Sequence, residues 1–298
     1  MLVSGSIGVI ILSKKISIDK EKIIIILSDD HSNTNYCSIV DDSYQSITEF
    51  LDSIKNKQFL IEEIPEKTKK ETIQIKELWY DVPHVKELKN YFLNNSKISD
   101  GIDIRLELLP FSIELISLKK DLLDFKFNEY IKEFKMFFDG TGDVFKKYFH
   151  ELTQNNMVNL KIDNRDEEVI KRYFNKLLED YKSIEKKSSN FIYPNKDPTI
   201  RDFQEKDMVF SMNLFNDIDD IVNNIMEFYV ILNIFSTEKT SIIHMGLFHT
   251  TNISKRLMID YNYNIIYKNG LTNLNFSEHD NQSISCIKMP NLKKFGIY

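Results

Sequence analysis

Acids and imidazoles stand in this chain where short apolar runs stop. Ile23-Ile24-Ile25-Ile26-Leu27 runs into Ser28-Asp29-Asp30-His31, and Phe59-Leu60-Ile61 runs into Glu62-Glu63. Ser241-Ile242-Ile243-His244-Met245-Gly246 leads to Leu247-Phe248-His249. Carboxylates and imidazoles trade protons near neutral pH, and together they bind divalent cations. Asp29 and His31 can supply oxygen and nitrogen ligands, or an acid/base with its orienting partner; they can equally cap a helix and satisfy backbone groups. Neighbouring residues of a strand face opposite ways, so at most one of Glu62 and Glu63 enters a common site. Asp103 and Arg105, two apart, share a face of any strand that holds both. An Arg fork there can hold a phosphate or carboxylate or stabilise an oxyanion, with Asp103 fixing its geometry; a structural ion pair with Glu107 is the plain alternative. His249 follows a turn at Gly246, where an imidazole can ligate a metal or move a proton. His244 lies inside the apolar run and reads as core, and His84, after Pro83, stands at a helix entrance as a substrate-binding candidate. The spacing of His244 and His249 does not match HExxH, and no P-loop, GxGxxG, GxSxG or kinase signature is present.

Short β-branched runs that end in polar residues read as buried parallel strands, and in open α/β sheets the ligand crevice lies outside their carboxyl ends. Val3–Leu12 and Lys22–Leu27 are expected as strands joined by the polar Lys14–Lys20 connection. Asp41, Asp42 or Ser43 can cap a helix with Ile47, Phe50, Leu51 and Ile54 on one face. Val85–Leu93 is the next helix and Ile102–Leu106 the next strand, ended by Pro110. Apolar positions keep a helical rhythm from Ser112 to Phe138. Asn164 with Glu167 resembles a capping box opening a helix, Lys186–Thr199 reads as a loop, and Asp207–Phe235 as a long helix. A helix is expected from about Thr251 to Asp260, and nothing clear after Tyr263. The pattern predicts a single α/β domain over residues 1–298, with a mainly parallel central sheet flanked by helices and a helical insertion or cap over 112–199.

Apolar content of 42% suffices for a substantial core, and a net charge of -6 without a basic tract argues against nucleic acid as a partner. Cys37 and Cys286 stand alone without a CxxC and read as free thiols of a reducing compartment. The opening apolar stretch lacks a basic n-region and a cleavage site, and no run is long enough to span a membrane. The expectation is a soluble protein; substrate and oligomeric state stay open.

These corners resemble, in order and spacing, uncharacterised proteins from giant DNA viruses. The resemblance is carried by IIIILSDDHSNTNYC (Ile23 to Cys37), FLIEE (Phe59 to Glu63), PHVKELKNYF (Pro83 to Phe92), GIDIRLELLPFS (Gly101 to Ser112), DMVFSMNLF (Asp207 to Phe215) and HMGLFHTTNISKRL (His244 to Leu257). The pattern is more distantly similar to the erythromycin esterase-like and Tiki/TraB-like superfamily, whose members share an early G-E-x-H corner, a strand-end Glu and a late G-x-x-H corner. On that resemblance Asp29 and His31 match the first corner, Glu62 or Glu63 the second acid, and Gly246 and His249 the late corner. Ser28 replaces the usual Gly and Asp29 the usual Glu. The resemblance implies a hydrolase, esterase- or metalloprotease-like, working in host cytoplasm or virion; a related branch binds haem. The expected catalytic set is Asp29, His31, Glu62 or Glu63, and His249, with Arg105, Asp103 and His84 binding substrate. Asp29, His31 and His249 are the candidate ligands of a divalent metal, Mn or Zn. The competing reading is a viral binding or virion-associated protein that kept the fold and lost the chemistry.

Overall fold

Consecutive β-branched side chains suit a pleated ribbon covered on both faces, and the Ile23–Leu27 run lies inside the strand β3 (Lys20–Asp29). The structure is a computed structural model and describes residues 1–18, 20–30, 36–37, 43–65, 82–95, 99–111, 116, 119–150, 160, 162–189, 197–274 and 284–297. Before β3 come β1 (Leu2–Ser4) and β2 (Gly8–Ser17). After it come β4 (Tyr44–Ser46), α1 (Ile47–Asp52), β5 (Lys57–Pro65), α2 (Pro83–Asn94), β6 (Ser99–Asp103) and the short α3 (Arg105–Leu108). A helical stretch follows, with α4 (Phe127–Tyr130), α5 (Lys132–Phe138), α6 (Asn164–Ser189), α7 (Ile200–Lys206) and α8 (Met208–Phe235). The chain closes with β7 (Thr240–Gly246), α9 (Leu247–Ile259), β8 (Asn264–Gly270) and β9 (Cys286–Lys288).

The main sheet has six strands in the order β6-β5-β7-β3-β2-β8. Strands β6, β5, β7 and β3 are mutually parallel, while β2 runs antiparallel between β3 and β8. A small sheet, β4-β1-β9, lies beside it. The fold is thus mixed α/β, with a mostly parallel sheet flanked by helices. Period-two alternation divides the core. Ile24, Ile26, Leu60, Ile243 and Met245 face one side and join Phe134, Phe174, Phe228 and Ile253 in one buried cluster with the helices that follow β6. Ile23, Ile25, Leu27, Phe59, Ile61 and Ile242 face the other side, with Phe50, Leu88, Val3 and Ile287. Helix α8 is buried nearly all round in its second half, as its apolar composition there requires.

Several elements differ from the sequence expectations, each for a local reason. The Val3–Leu12 run is cut at Gly5, whose φ of +104° turns β1 away into the small sheet. The Lys14–Lys20 connection is largely strand: β2 and β3 pair as an antiparallel hairpin out to Ser17 and Lys20. The strand expected over Ile102–Leu106 stops at Asp103, because the Asp103 carboxylate accepts the Arg105 backbone N–H at 3.1 Å and starts a helical turn. Ser46, with Glu49, caps α1 in place of Ser43, while Asp41 and Asp42 lie outside the described residues. Asp163 caps α6 one residue ahead of Asn164, accepting from the Asp166 N–H at 2.8 Å, and α6 runs on through Ser189 into the expected loop. Helix α9 starts at Leu247, four residues early, directly off β7. The two cysteines are not free: Cys37 and Cys286 form a disulfide, with their Cα atoms 4.8 Å apart. Among the described residues no helix is long and apolar enough to cross a membrane.

At the amino edge of the parallel strands Lys22 is buried, its ammonium donating to the Thr237 carbonyl at 2.8 Å, to the Lys239 carbonyl and to Ser241 Oγ at 3.0 Å. Burial pulls its pKa down from 10.5 to about 7, against the opposing pull of Glu238. Between those values the unfolded chain keeps the proton that the folded chain releases, so this lysine's contribution to stability improves as pH rises through the window. Urea unfolding of wild type and Lys22→Met is therefore expected to show a stability difference that moves in favour of wild type from about pH 7 to about pH 10. A difference independent of pH would mean that burial does not penalise the ammonium.

Candidate functional site

At the carboxyl edge the first charged contact is between a strand and a helix. Glu62 follows Leu60 on the first face of β5, and β7 passes into α9 at Gly246 with no side chain to cap the new helix. The Glu62 carboxylate takes that role from the neighbouring strand, Oε2 accepting the Gly246 N–H at 2.7 Å. A negative charge at a helix N-terminus is favoured by the unpaired N–H groups and the helix dipole. Gly246 itself has an ordinary φ of -55°, so the turn does not need the conformational freedom of glycine.

The other oxygen of Glu62 faces Arg105. Arg105 Nη2 donates to Glu62 Oε1 at 3.0 Å and to Asp103 Oδ2 at 3.2 Å, and Nε donates to Asp103 Oδ1 at 2.9 Å. Nη1 donates to Asn223 Oδ1 of α8 at 3.2 Å and lies 3.3 Å from His249 Nε2. Burial alone would pull the guanidinium pKa down, but Asp103 and then Glu62, with Asp219 beyond, outweigh it and hold it above the ordinary arginine value. Asp103 and Arg105 do not share a strand face as expected: Arg105 opens a helix and its side chain curls back onto Asp103.

His249 lies in the first turn of α9 and is buried. Its Nδ1 is 3.1 Å from Glu227 Oε1 of α8. Its Nε2 is 3.5 Å from Glu62 Oε1 as well as 3.3 Å from the arginine. An arginine can only donate, so Nε2 presents its lone pair and Nδ1 carries the proton to Glu227. Glu227 is held in turn by Asn252 Nδ2 at 2.8 Å, with the Arg256 guanidinium 3.9 Å away. Arg256 lies over the Tyr173 ring, 4.0 Å from its centroid. On the same face Ser28 Oγ and Thr250 Oγ1 meet at 2.9 Å, tying β3 to α9.

Asp29 and His84 form a separate cluster on the opposite face. Leu27, His244 and Ile61 are register partners across β3, β7 and β5, so Asp29, two residues after Leu27, points with them to the second face, and Glu62 points to the first. There His84 Nε2 meets Asp29 Oδ2 at 2.9 Å and His84 Nδ1 meets Tyr36 Oη at 3.0 Å. His244, fully buried, bonds the Gly5 carbonyl through Nε2 at 3.1 Å, as a core histidine does.

The expected single site therefore divides. Glu62, Arg105, Asp103 and His249 come together; Asp29 and His84 do so elsewhere. His31 and the side chain of Glu63 lie outside the described residues. Of the expected metal ligands, Asp29 and His249 point from opposite faces of the sheet, and among the described residues no group of three His, Cys, Asp or Glu side chains is arranged to hold a metal ion. Glu227 was legible as a lone acid inside the apolar Ile225–Ile234 run. Asn223, Asn252 and Arg256 gave no signal, being ordinary polar residues at helical positions. A cavity of about 640 Å³ lies among the helices that follow β6, lined by Phe138, Phe145, Lys146, His150, Phe174 and Leu178 among others.

No protein-family model, curated protein or solved structure matches the chain.

Removing the positive centre should leave Glu62 and Asp103 facing each other uncompensated. Arg105→Met is expected to lose on the order of 3–5 kcal/mol of unfolding free energy, the cost of breaking a buried ion pair from one side. Denaturant titration measures it; a loss below about 1 kcal/mol, the worth of an exposed pair, would show that the network is solvated.

Proposed function

We propose that the protein is a hydrolase of an ester or amide bond, with the His249–Glu227 pair as its general base and Arg105 as its electrophile. One observation carries this reading: a buried carboxylate fixes the His249 tautomer so that Nε2 presents a lone pair at the carboxyl edge of parallel strands, beside a guanidinium. In the proposed step His249 Nε2 takes a proton from water as the water oxygen adds to the substrate carbonyl carbon. The developing oxyanion is stabilised by Arg105, whose side chain keeps 21% of its surface exposed. The imidazolium then returns the proton to the departing alkoxide or amine, so that acid and alcohol or amine leave and the base is restored. Glu227 stabilises the transient imidazolium, and Glu62 and Asn223 keep Arg105 aimed.

The donor set does not fit the expected Mn or Zn ion in its described part. Glu62, Asp103 and His249 Nε2 all converge on Arg105, which occupies the place a cation would take. The reading stays with the late G-x-x-H corner of the erythromycin esterase-like and Tiki/TraB-like resemblance, and with a viral source. It also treats the helices between β6 and β7 as an insertion that covers the site. Of host cytoplasm and virion, the Cys37–Cys286 disulfide favours the virion, where such bonds persist.

A second reading is a catalytically silent binding or virion-associated protein of the same fold. Its support is that Glu62, Glu227 and His249 are buried and already engaged with one another's partners.

The two readings diverge in a panel of ester, amide and phosphoester substrates. The hydrolase reading expects turnover by wild type and a fall in kcat/KM of about 10²–10⁴-fold in His249→Ala. Glu227→Gln, which keeps the shape but loses the charge, should lower kcat more than it raises KM. Turnover by neither wild type nor variant, with folding intact, leaves the binding reading.

A further inference from the structure

The disulfide joins residues 249 positions apart, and what it joins lies beside the second polar cluster. Tyr36, the residue before Cys37, forms a parallel bridge with Ser285, the residue before Cys286. Ser4 of β1 is the register partner of Cys286, and its Oγ accepts the Cys37 N–H at 3.5 Å. Gly5 extends this junction: its N–H donates to the Ser285 carbonyl at 3.0 Å and its carbonyl accepts from His244 Nε2 at 3.1 Å. Gly5 also packs on α2, where a Cβ would come within 3.2 Å of the His84 Cβ. One junction therefore carries the disulfide, backs His84 and delivers Tyr36 to His84 Nδ1.

We infer that the Cys37–Cys286 disulfide is a redox clasp that seats the Tyr36 hydroxyl on Nδ1 of His84, the ring nitrogen left bare when Asp29 accepts from Nε2–H, and so controls whether Nδ1 is covered. With the bond closed, Tyr36 Oη donates to His84 Nδ1, and the ring proton sits on Nε2 towards Asp29 Oδ2. Burial pushes the Tyr36 phenol above its ordinary range, outweighing the lowering from its bond to His84, with Asp29 and Glu87 raising it further, which keeps the phenol a donor. This is the tautomer opposite to that of His249. The clasp is independent of the hydrolase reading, because its residues lie on the other face of the sheet.

Opening it takes a dithiol reductant. A thiolate of the reductant attacks Sγ of Cys286, the half-buried partner, and Cys37, fully buried, leaves as a thiolate and takes up a proton. The second thiol of the reductant then displaces Cys286 from the mixed disulfide. Two electrons and two protons have passed to the protein, and the reductant ends as its own disulfide. Tyr36 then loses its covalent anchor and keeps, among the described residues, the bridge to Ser285 and the neighbouring Cys37 N–H bond to Ser4 Oγ, and His84 Nδ1 loses its fixed donor.

The test uses the full chain labelled with ¹⁵N-histidine, air-oxidised and then treated with dithiothreitol, with iodoacetamide alkylation and mass analysis in parallel. The oxidised protein should resist alkylation. Reduction should expose both thiols and shift the His84 ring nitrogen resonances, assigned by their loss in His84→Asn. In Tyr36→Phe the His84 resonances should be the same in both redox states, and the Cys37→Ser/Cys286→Ser double variant should match reduced wild type without reductant. The inference is overturned if the oxidised native protein alkylates at both cysteines, or if His84 does not respond when both thiols are free. A response that persists in Tyr36→Phe overturns it too. Unfolding on reduction, seen as collapse of amide dispersion, would make the bond a structural staple and overturn the clasp as well.

Discussion

Two carboxylates, Asp103 at the end of β6 and Glu62 on β5, lie side by side at the carboxyl edge of the sheet, and the guanidinium of Arg105 is what allows both to be buried there. Its planar fork suits the task, because one side can bond Asp103 through Nε and Nη2 while Nη2 also reaches Glu62. A lysine ammonium has no planar fork to match the paired bonds to Asp103. Once Arg105 is fixed, Glu62 has one oxygen left, and that oxygen caps α9 through the Gly246 N–H. The helix start then sets where His249 stands, and the neighbouring α8 supplies Glu227 to its other nitrogen. A single cation thus aligns two strands and two helices, and the site is a consequence of charge compensation at a strand edge.

The sheet imposes a second condition. Strand ends converge on one edge, but period-two alternation sends their side chains to opposite faces, so convergence along the edge is not convergence in a site. Asp29 on β3 and Glu62 on β5 flank β7 on either side and point to opposite faces of the sheet. Each face has built its own histidine–carboxylate pair: His249 of α9 with Glu227 of α8, and His84 of α2 with Asp29 of β3. The two histidines hold their protons in opposite senses, one presenting Nε2 to an arginine and the other presenting Nδ1 to a tyrosine.

The strands and the long helices were legible from apolar period alone, since β3, β5, β7 and α8 bury the residues that the pattern marks. Strand-end acids and His249 were legible because polar residues seldom follow such runs without a reason. The face each would take was not legible: that needs the register between β3, β7 and β5, which no local pattern encodes. Arg105 was placed on a strand because the alternation of Ile102, Ile104 and Leu106 runs through it, and only the bond from the Arg105 N–H to the Asp103 carboxylate decides for a helical turn. The helix start at Leu247 was missed because its cap comes from Glu62, 184 residues away in sequence. The disulfide was missed for the same reason: two lone cysteines carry no sign of their distance in space.

The account rests on the proton of His249 residing on Nδ1, with Nε2 bare beside Arg105. Nitrogen-15 NMR of the histidine side chains at neutral pH, with His249 assigned by its loss in His249→Asn, reads this directly. The account predicts a protonated, pyrrole-like Nδ1 and an unprotonated, pyridine-like Nε2 for this ring. A pyrrole-like Nε2, or an imidazolium with both nitrogens protonated, would contradict it, because Nε2–H would then be turned to Glu62 Oε1, 3.5 Å away, and no lone pair would be offered beside the guanidinium.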